Sequence, residues 1–380
     1  MSLPNSMAIA GAFGYIGKHF LEAAINLGIP NIYVYDKKPI PQDLDPNDFT
    51  SFNSPEEFYS LDVDFWHLAL HPQDRALIPK NRRDPNQESP LALLLEKQTL
   101  ALIEKPMASP ETPDECRAIL EAVRSSPATF QYDYLGLFDS TTKRVLTYLS
   151  SLKNPRIHSI NSQVSKPRED PEVERNYIII VPMPFQEVVH PLSFILQSIG
   201  LDALNQGITV SASSLPYNPP NPQDYPYVVD GMCDFSLEIG DIEISGCTNF
   251  KDQTPDGQPT PFQKINVIQG VSDNGPFEIV ANFQEDGRSL LINGDIQDIS
   301  SSSSYEQAIL TLWDWYNSSS RSELMQGNFP NPSFTFITYQ LSSILWSSSF
   351  HNQEIKLTSL DEILTFDADF ENLSRTFPKY

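Results

Sequence analysis

From Ser6 onward the chain alternates short apolar runs with stretches whose apolar positions recur at helical spacing. Residues 7–10 read as a strand, 11–17 as a glycine-rich turn, 18–27 as a helix and 32–35 as a second strand, which together make a βαβ unit. The same alternation continues with strands at 63–70, 99–103 and 129–134 and helices at 89–97, 112–125 and 140–151. Strands that alternate with helices imply a parallel, doubly wound sheet. Thr112, followed by Pro113, Asp114 and Glu115, suits a helix N-terminus.

The pattern changes in the second half. Segments 156–165, 207–213, 233–239, 242–249, 263–269, 277–283 and 289–294 are strand-like, and the turns between them are rich in Gly, Pro, Asn and Asp. They predict a large, mostly antiparallel open sheet. Helices at 187–199 and 305–317 are expected to cover one face, and 334–347 reads as a closing helix. The proline-rich stretch 215–227 and the serine run 300–304 read as connectors. The expected organisation is an α/β Rossmann domain over 1–127 and an α+β C-terminal domain over 128–380. The first strand and helix of the latter (128–151), and its C-terminal helix, are free to pack on the former.

Size and composition fit this division. A chain of 380 residues exceeds what one hydrophobic core usually supports. The net charge of -24 argues against nucleic acid or an anionic membrane as partner and leaves a small molecule or another protein. Three cysteines, Cys116, Cys233 and Cys247, offer neither a C-x-x-C pair nor an even disulfide framework, which suits a reducing compartment. The first residues carry no basic n-region, and no apolar stretch approaches the ~20 residues that span a bilayer. A cytoplasmic protein without a membrane segment is expected.

Candidate chemistry begins at the first turn. Gly11-Ala12-Phe13-Gly14-Tyr15-Ile16-Gly17 stands between strand and helix, where glycines let the backbone approach a pyrophosphate at the helix N-terminus. With Gly14 and Gly17 in the second and third places of G-x-G-x-x-G, Ala12 fills the first, which is tolerable only at negative φ. Asp36, at the end of the second strand, can accept hydrogen bonds from ribose hydroxyls and favours NAD. Lys37 and Lys38 follow it and could neutralise a 2′-phosphate, so NADP is the alternative.

Glu104-Lys105-Pro106 ends the apolar run 101–103, at the carboxyl edge where open α/β sheets bind ligands. A lysine there can hydrogen-bond a substrate hydroxyl and take its proton as hydride leaves. Strand, glycine turn, acidic strand end, Glu-Lys-Pro and a further helix occur in an order that resembles the glucose-fructose oxidoreductase, inositol dehydrogenase and MocA family. Leu70-His71-Pro72 looks like that family's Ala-Thr-Pro turn against the cofactor, and Phe138-Asp139 like its Phe-Asp. The resemblance covers most of the chain and implies hydride transfer between NAD(P) and a hydroxyl or carbonyl carbon of a sugar, cyclitol or nucleotide sugar. It makes Lys105 the central catalytic residue and His190 the counterpart of the family's helix-borne histidine. Glu187, three positions earlier, is then the acidic partner, while Gln186 stands at the four-before position.

Further candidates are Lys166 and Arg168, in the stretch where the family's substrate-facing loop leaves the first long strand, and Tyr134. All three, with Gln186, are expected substrate contacts. Tyr217, Tyr225 and Tyr227 could stack on a sugar ring or simply order their proline-rich loop. His19, His67, His158 and His351 have no partners at metal-ligand spacing, so no metal is implied. Ser193 stands where the family commonly has Asp, and Leu135-Gly136-Leu137 replaces its Asn-Arg-Arg. The alternative reading is a regulatory chain that keeps the fold and the nucleotide but has lost the reaction. An open sheet with an uncovered apolar face would make a homodimer or tetramer the expected assembly.

Overall fold

The structure, a computed structural model, describes residues 2–370. The chain forms two compact units. One runs to Asp139 and takes in Ser301–Phe336; the other holds Ser140–Ser300 and the described residues from Ile337 on.

The first unit is built on six parallel strands: β1 (Ser6–Ala10), β2 (Asn31–Tyr35), β3 (Thr50–Phe52), β4 (Phe65–Leu68), β5 (Leu100–Glu104) and β6 (Thr129–Asp133). Their order is β3-β2-β1-β4-β5-β6. Met7–Ala10, Phe65–Leu68 and Leu100–Ile103 are buried throughout, because helices on both faces of a parallel sheet demand continuous apolar strands. The strand order reverses between β1 and β4, the switch point at which such sheets bind ligands. The sheet also continues past the expected break near 127: β6 pairs with β5 from Leu100↔Thr129 to Glu104↔Asp133, with Phe130 and Tyr132 fully buried.

One helix departs from expectation. Ser304–Ser318 does not lie on the antiparallel sheet but in the first unit, where Ala308, Ile309 and Leu312 join Phe20, Leu21 and Ala24 of the Tyr15–Leu27 helix in one core. Tyr305 stacks on His19, with ring centroids 4.8 Å apart. An amphipathic stripe states that a helix is covered, not by what. Its start lies in the serine run: Ser303 caps the helix reciprocally with Glu306.

The second unit carries nine strands: β7 (Arg156–Ser165), β8 (Ile208–Pro216), β9 (Asp230–Ile239), β10 (Ile242–Asn249), β11 (Gln263–Ser272), β12 (Gly275–Asn282), β13 (Ser289–Ile292), β14 (Asp295–Ile296) and β15 (Ile355–Leu357). The order is β14-β13-β12-β11-β7-β10-β9-β8-β15, and only the β7–β10 pair is parallel. Register aligns Ile292, Ile279, Ile268, Ile160, Ile244, Leu237 and Val210 as one buried row across the sheet. The helices Ser140–Ser151 and Val189–Ile199 pack against each other and against this sheet. Pro332–His351 is the long helix expected near the end, although β15 and a short helix follow it.

The other face of this sheet, expected to be apolar, is mixed. Glu278, Gln269, Ser159, Glu243, Glu238 and Thr209 form one outward row, tied by bonds such as Gln269 Nε2 to Glu278 Oε2 at 2.8 Å. Asn161 and Ser245, a row further on, are joined at 2.9 Å. Strand alternation puts Ile265, Val267, Val271, Val280, Leu291 and Ile296 on the same face, with Val271 45% and Ile296 82% exposed. No described helix is long and apolar enough to cross a membrane.

Candidate functional site

The glycine turn is fixed by backbone contacts. Gly11 has φ of 76° and donates its N–H to the Tyr35 carbonyl at 2.8 Å; a Cβ on it would lie 2.4 Å from the Ala69 carbonyl oxygen. A Cβ on Gly17 would lie 2.0 Å from the Gly11 carbonyl oxygen, so the first helical turn rests directly on the strand end. The left-handed turn thus falls on Gly11, and Ala12 has no positive φ to accommodate. The Tyr15–Leu27 helix begins after Gly14 without a side-chain cap. Its N-terminal amides and dipole point from the switch point, the arrangement that receives a phosphate. Phe13 is buried against Phe49.

Asp36 ties β2 to this turn: its Oδ2 accepts the Phe13 N–H at 2.8 Å and its Oδ1 the Lys38 N–H at 2.9 Å. An ionised carboxylate offers about four lone-pair positions. Two therefore stay open to ribose hydroxyls. Lys37 and Lys38 are exposed, and Lys37 lines a small cavity with Gln73, Arg82 and Arg83. His71 and Pro72 start a short helix immediately beyond β4, with His71 exposed. These residues fit a dinucleotide: a glycine turn packed on the strand end, a helix N-terminus and an acidic strand end.

Lys105 follows β5 and is half-buried, with a cis bond to Pro106. The turn is held by a residue that the sequence pattern does not single out. Arg75, 1% exposed, donates Nη2 to the Glu104 and Pro106 carbonyls, both at 2.6 Å, Nη1 to Met107 O at 3.2 Å and Nε to Leu70 O at 3.4 Å. Its segment is stapled in turn by Arg82, which donates to the carbonyls of Ala76, Leu77 and Gln87, and by buried Glu115, which accepts from Ile78 N and Asn81 Nδ2.

Beside the turn lies a second group. His67 on β4 is fully buried rather than partnerless, with Nε2 3.2 Å from Glu104 Oε1. Asp133 on β6 completes the set, and ligand-type atoms of His67, Glu104 and Asp133 all lie within 4.8 Å of one another. Burial pushes His67 down to about 4 and Asp133 well above the usual carboxylate range, where Glu104 raises it further. The signal for this group in the sequence is a histidine and an aspartate inside otherwise apolar strands. Tyr134, by contrast, is 1% exposed and packs its ring on Phe334.

The remaining candidates lie in the second unit. Pro184–Val188 is a π-helical turn that runs into the Val189–Ile199 helix, so Gln186, Glu187 and His190 straddle a change of helical register. Buried Glu187 forms an ion pair with the Lys166 ammonium, whose pKa burial lowers to about 7 against the opposing pull of Glu187. Lys166 is therefore the partner of Glu187. Gln186 Oε1 accepts the Val181 N–H at 3.4 Å, and His190 is half-buried. Ser193 donates to the His190 carbonyl at 2.7 Å. Arg168 is buried with its guanidinium 4.4 Å from the Phe250 ring centroid, so it does not present a surface anion contact. The tyrosines order their loop: Tyr217 donates to Arg168 O at 2.7 Å, and Tyr225 accepts the Ile180 N–H at 3.1 Å.

No family sequence profile and no curated protein sequence matches the chain. Solved structures do. An oxidoreductase from Agrobacterium radiobacter in complex with NAD+, L-tartaric acid and magnesium superposes with a TM-score of 0.65 at 12% identity, over 92% of this chain and 97% of that one. The chain has the fold of the glucose-fructose oxidoreductase, inositol dehydrogenase and MocA type. The UDP-N-acetylglucosamine 3-dehydrogenase GnnA from Acidithiobacillus ferrooxidans gives a TM-score of 0.64 at 9% identity, over 93% of this chain and 100% of that one. A super-repressor mutant of Gal80p from Saccharomyces cerevisiae gives 0.63 at 15%, over 95% and 99%. At these identities the likeness is one of fold.

Proposed function

We propose that this chain is a nicotinamide-dependent oxidoreductase that moves hydride between NAD, or NADP, and a hydroxyl or carbonyl carbon of a sugar, cyclitol or nucleotide-sugar-like substrate. The observation that carries this is the Arg75-clamped Glu104-Lys105-Pro106 turn, on the same carboxyl edge as the glycine turn at the β1/β4 switch point. Proteins that share the fold include an oxidoreductase bound to NAD+ and a sugar-nucleotide dehydrogenase, which supports the reaction class.

When bound, the nicotinamide supplies the hydride acceptor or donor. Gly11, Ala12, Phe13, Gly14, Tyr15 and Ile16 would hold the pyrophosphate and Asp36 the adenosine ribose, with His71 and Pro72 as further cofactor contacts. Lys105 bonds the reacting oxygen and takes or returns its proton. In the second unit His190 is the counterpart of the family's helix-borne histidine, and Glu187, three residues before it, is paired with Lys166. Asp36 favours NAD, since a 2′-phosphate would meet its carboxylate. A cytoplasmic site of action is part of this reading.

Titration with NAD(H) and NADP(H), followed by a screen of polyols, sugar acids and nucleotide sugars monitored by nicotinamide absorbance, tests it. The expected result is binding of one cofactor and a turnover that Lys105→Ala abolishes while binding persists. Failure to bind either cofactor sinks the reading. Binding without any turnover would instead mark a chain that keeps the nucleotide and has lost the reaction.

A further inference from the structure

His67, Glu104 and Asp133 stand on three adjacent parallel strands, β4, β5 and β6, with Glu104 and Asp133 in direct register. His67 is 0% and Asp133 4% exposed, and the Glu104 side chain is 13% exposed. Two carboxylates so placed cannot both be ionised cheaply, since each loses its hydration and each repels the other. The groups that face them offer little relief. Arg75 directs its hydrogen bonds to main-chain carbonyls, Phe20 covers the His67 ring at 4.0 Å between centroids, and Lys105 is the nearest other cation along the chain.

Hydrogen-bond accounting then locates the proton. His67 Nδ1 is buried and has no hydrogen-bond partner. An imidazolium would leave a donor orphaned there, whereas the neutral ring leaves only an unused lone pair and still donates Nε2–H to Glu104. Asp133 Oδ1 is likewise buried and unpartnered, a costly state for a carboxylate oxygen and a tolerable one for the carbonyl oxygen of a carboxylic acid. Asp133 also hydrogen-bonds the Glu104 side chain.

We propose that Asp133 is a protonated carboxylic acid at neutral pH which donates its O–H to Glu104, so that Asp133 and neutral His67 together hold Glu104 as the single buried anion beside Lys105. Asp133 and His67 are positioning residues: they act on the reacting oxygen only through Glu104 and Lys105. This rests on the reading of Lys105 as the acid–base group. Burial raises both carboxyls and lowers His67, while the hydrogen bond between the two carboxyls lowers Glu104 and raises Asp133, the direction expected when Asp133 holds the proton.

Infrared spectroscopy of the full chain at neutral pH tests the proton itself. The expected spectrum contains the carbonyl stretch of a protonated carboxylic acid, sensitive to deuterium exchange and lost in Asp133→Asn. Asp133→Leu, which withdraws a donor from Glu104, is expected to move the Lys105-dependent limb of the pH–rate profile toward acid by about one unit. Asp133→Asn, whose amide still donates, is expected to rescue that limb. No acid band in the difference spectrum between the native chain and Asp133→Asn, in which the band of a second buried acid such as Asp230 cancels, or one equivalent of a bound metal ion lost in His67→Leu would each overturn the proposal. The infrared result stands even if Asp133→Leu fails to fold. If Lys105→Ala keeps full turnover, the Lys105 reading fails, while the band still judges the carboxyl pair.

Discussion

Arg75 grips the two carbonyl groups that bracket Lys105, those of Glu104 and Pro106, each at 2.6 Å. A guanidinium suits this task because its fork of fixed donors can meet several oxygens at once. Arg75→Met leaves buried carbonyls without donors, and charge-assisted bonds contribute about 1.5–3 kcal/mol each. We expect a loss of at least ~3 kcal/mol in urea unfolding. Steady-state kinetics of whatever remains folded should show kcat falling more than cofactor affinity. Unchanged stability would mean that the turn holds itself.

The glycine turn separates two substitutions that a motif treats alike. Gly17→Ala drives a methyl against main-chain atoms of Gly11 and Ala12, none of which can rotate away, whereas the methyl of Gly14→Ala meets only the Gly11 carbonyl oxygen at 3.3 Å. Thermal melts with NAD(H) titration should find Gly17→Ala unfolded or unable to bind, and Gly14→Ala folded with a cooperative transition. Equal behaviour of the two would contradict this packing.

His67 makes stability depend on pH with a definite sign. Its folded pKa of about 4 lies below its unfolded value near 6.5, so the unfolded chain binds more protons between those limits. This contribution is present above pH 6.5 and is lost as pH falls toward 4. It amounts to on the order of 3 kcal/mol. Relative to His67→Leu, the native chain should therefore lose stability on acidification through that window, as measured by denaturant titrations at stepped pH. A constant gap between the two would show that His67 is not buried neutral.

Lys166 and Glu187 form a buried ion pair, and removal of one partner strands the other charge. Lys166→Met is expected to cost ~3–5 kcal/mol and the double variant Lys166→Met, Glu187→Leu clearly less. Denaturant unfolding of these two and of Glu187→Leu alone closes the cycle. Additive losses would deny the coupling.

Much of the candidate site is legible in the sequence because it depends on short-range rules. The Gly11–Gly17 turn, Asp36 at its strand end and Lys105 after β5 follow from period changes and from residues that only one local geometry accepts. The alternating polar and apolar positions of the second half likewise predict the large sheet. What the sequence hides is pairing across distance. Arg75 stands 29 residues from Glu104 and 31 from Pro106, and nothing in its own neighbourhood says that it bonds main-chain oxygens. His67 has no partner at local spacing because Glu104 and Asp133 reach it only through strand neighbours. The Ser304–Ser318 helix stands next to the antiparallel strands in the sequence, yet its apolar stripe fits the Tyr15–Leu27 helix.

By itself, then, the sequence determined most of the elements and which sheet edge carries the glycine turn and Lys105, since hydrophobic period, glycine sterics and strand ends act locally. Tertiary structure alone decided which groups are buried together: Arg75 on the carbonyls, Asp133 and His67 on Glu104, Lys166 on Glu187, and the tyrosines turned inward. Burial is what makes those groups strong, because desolvation forces each polar atom to find a partner, and only the folded chain says which one is within reach.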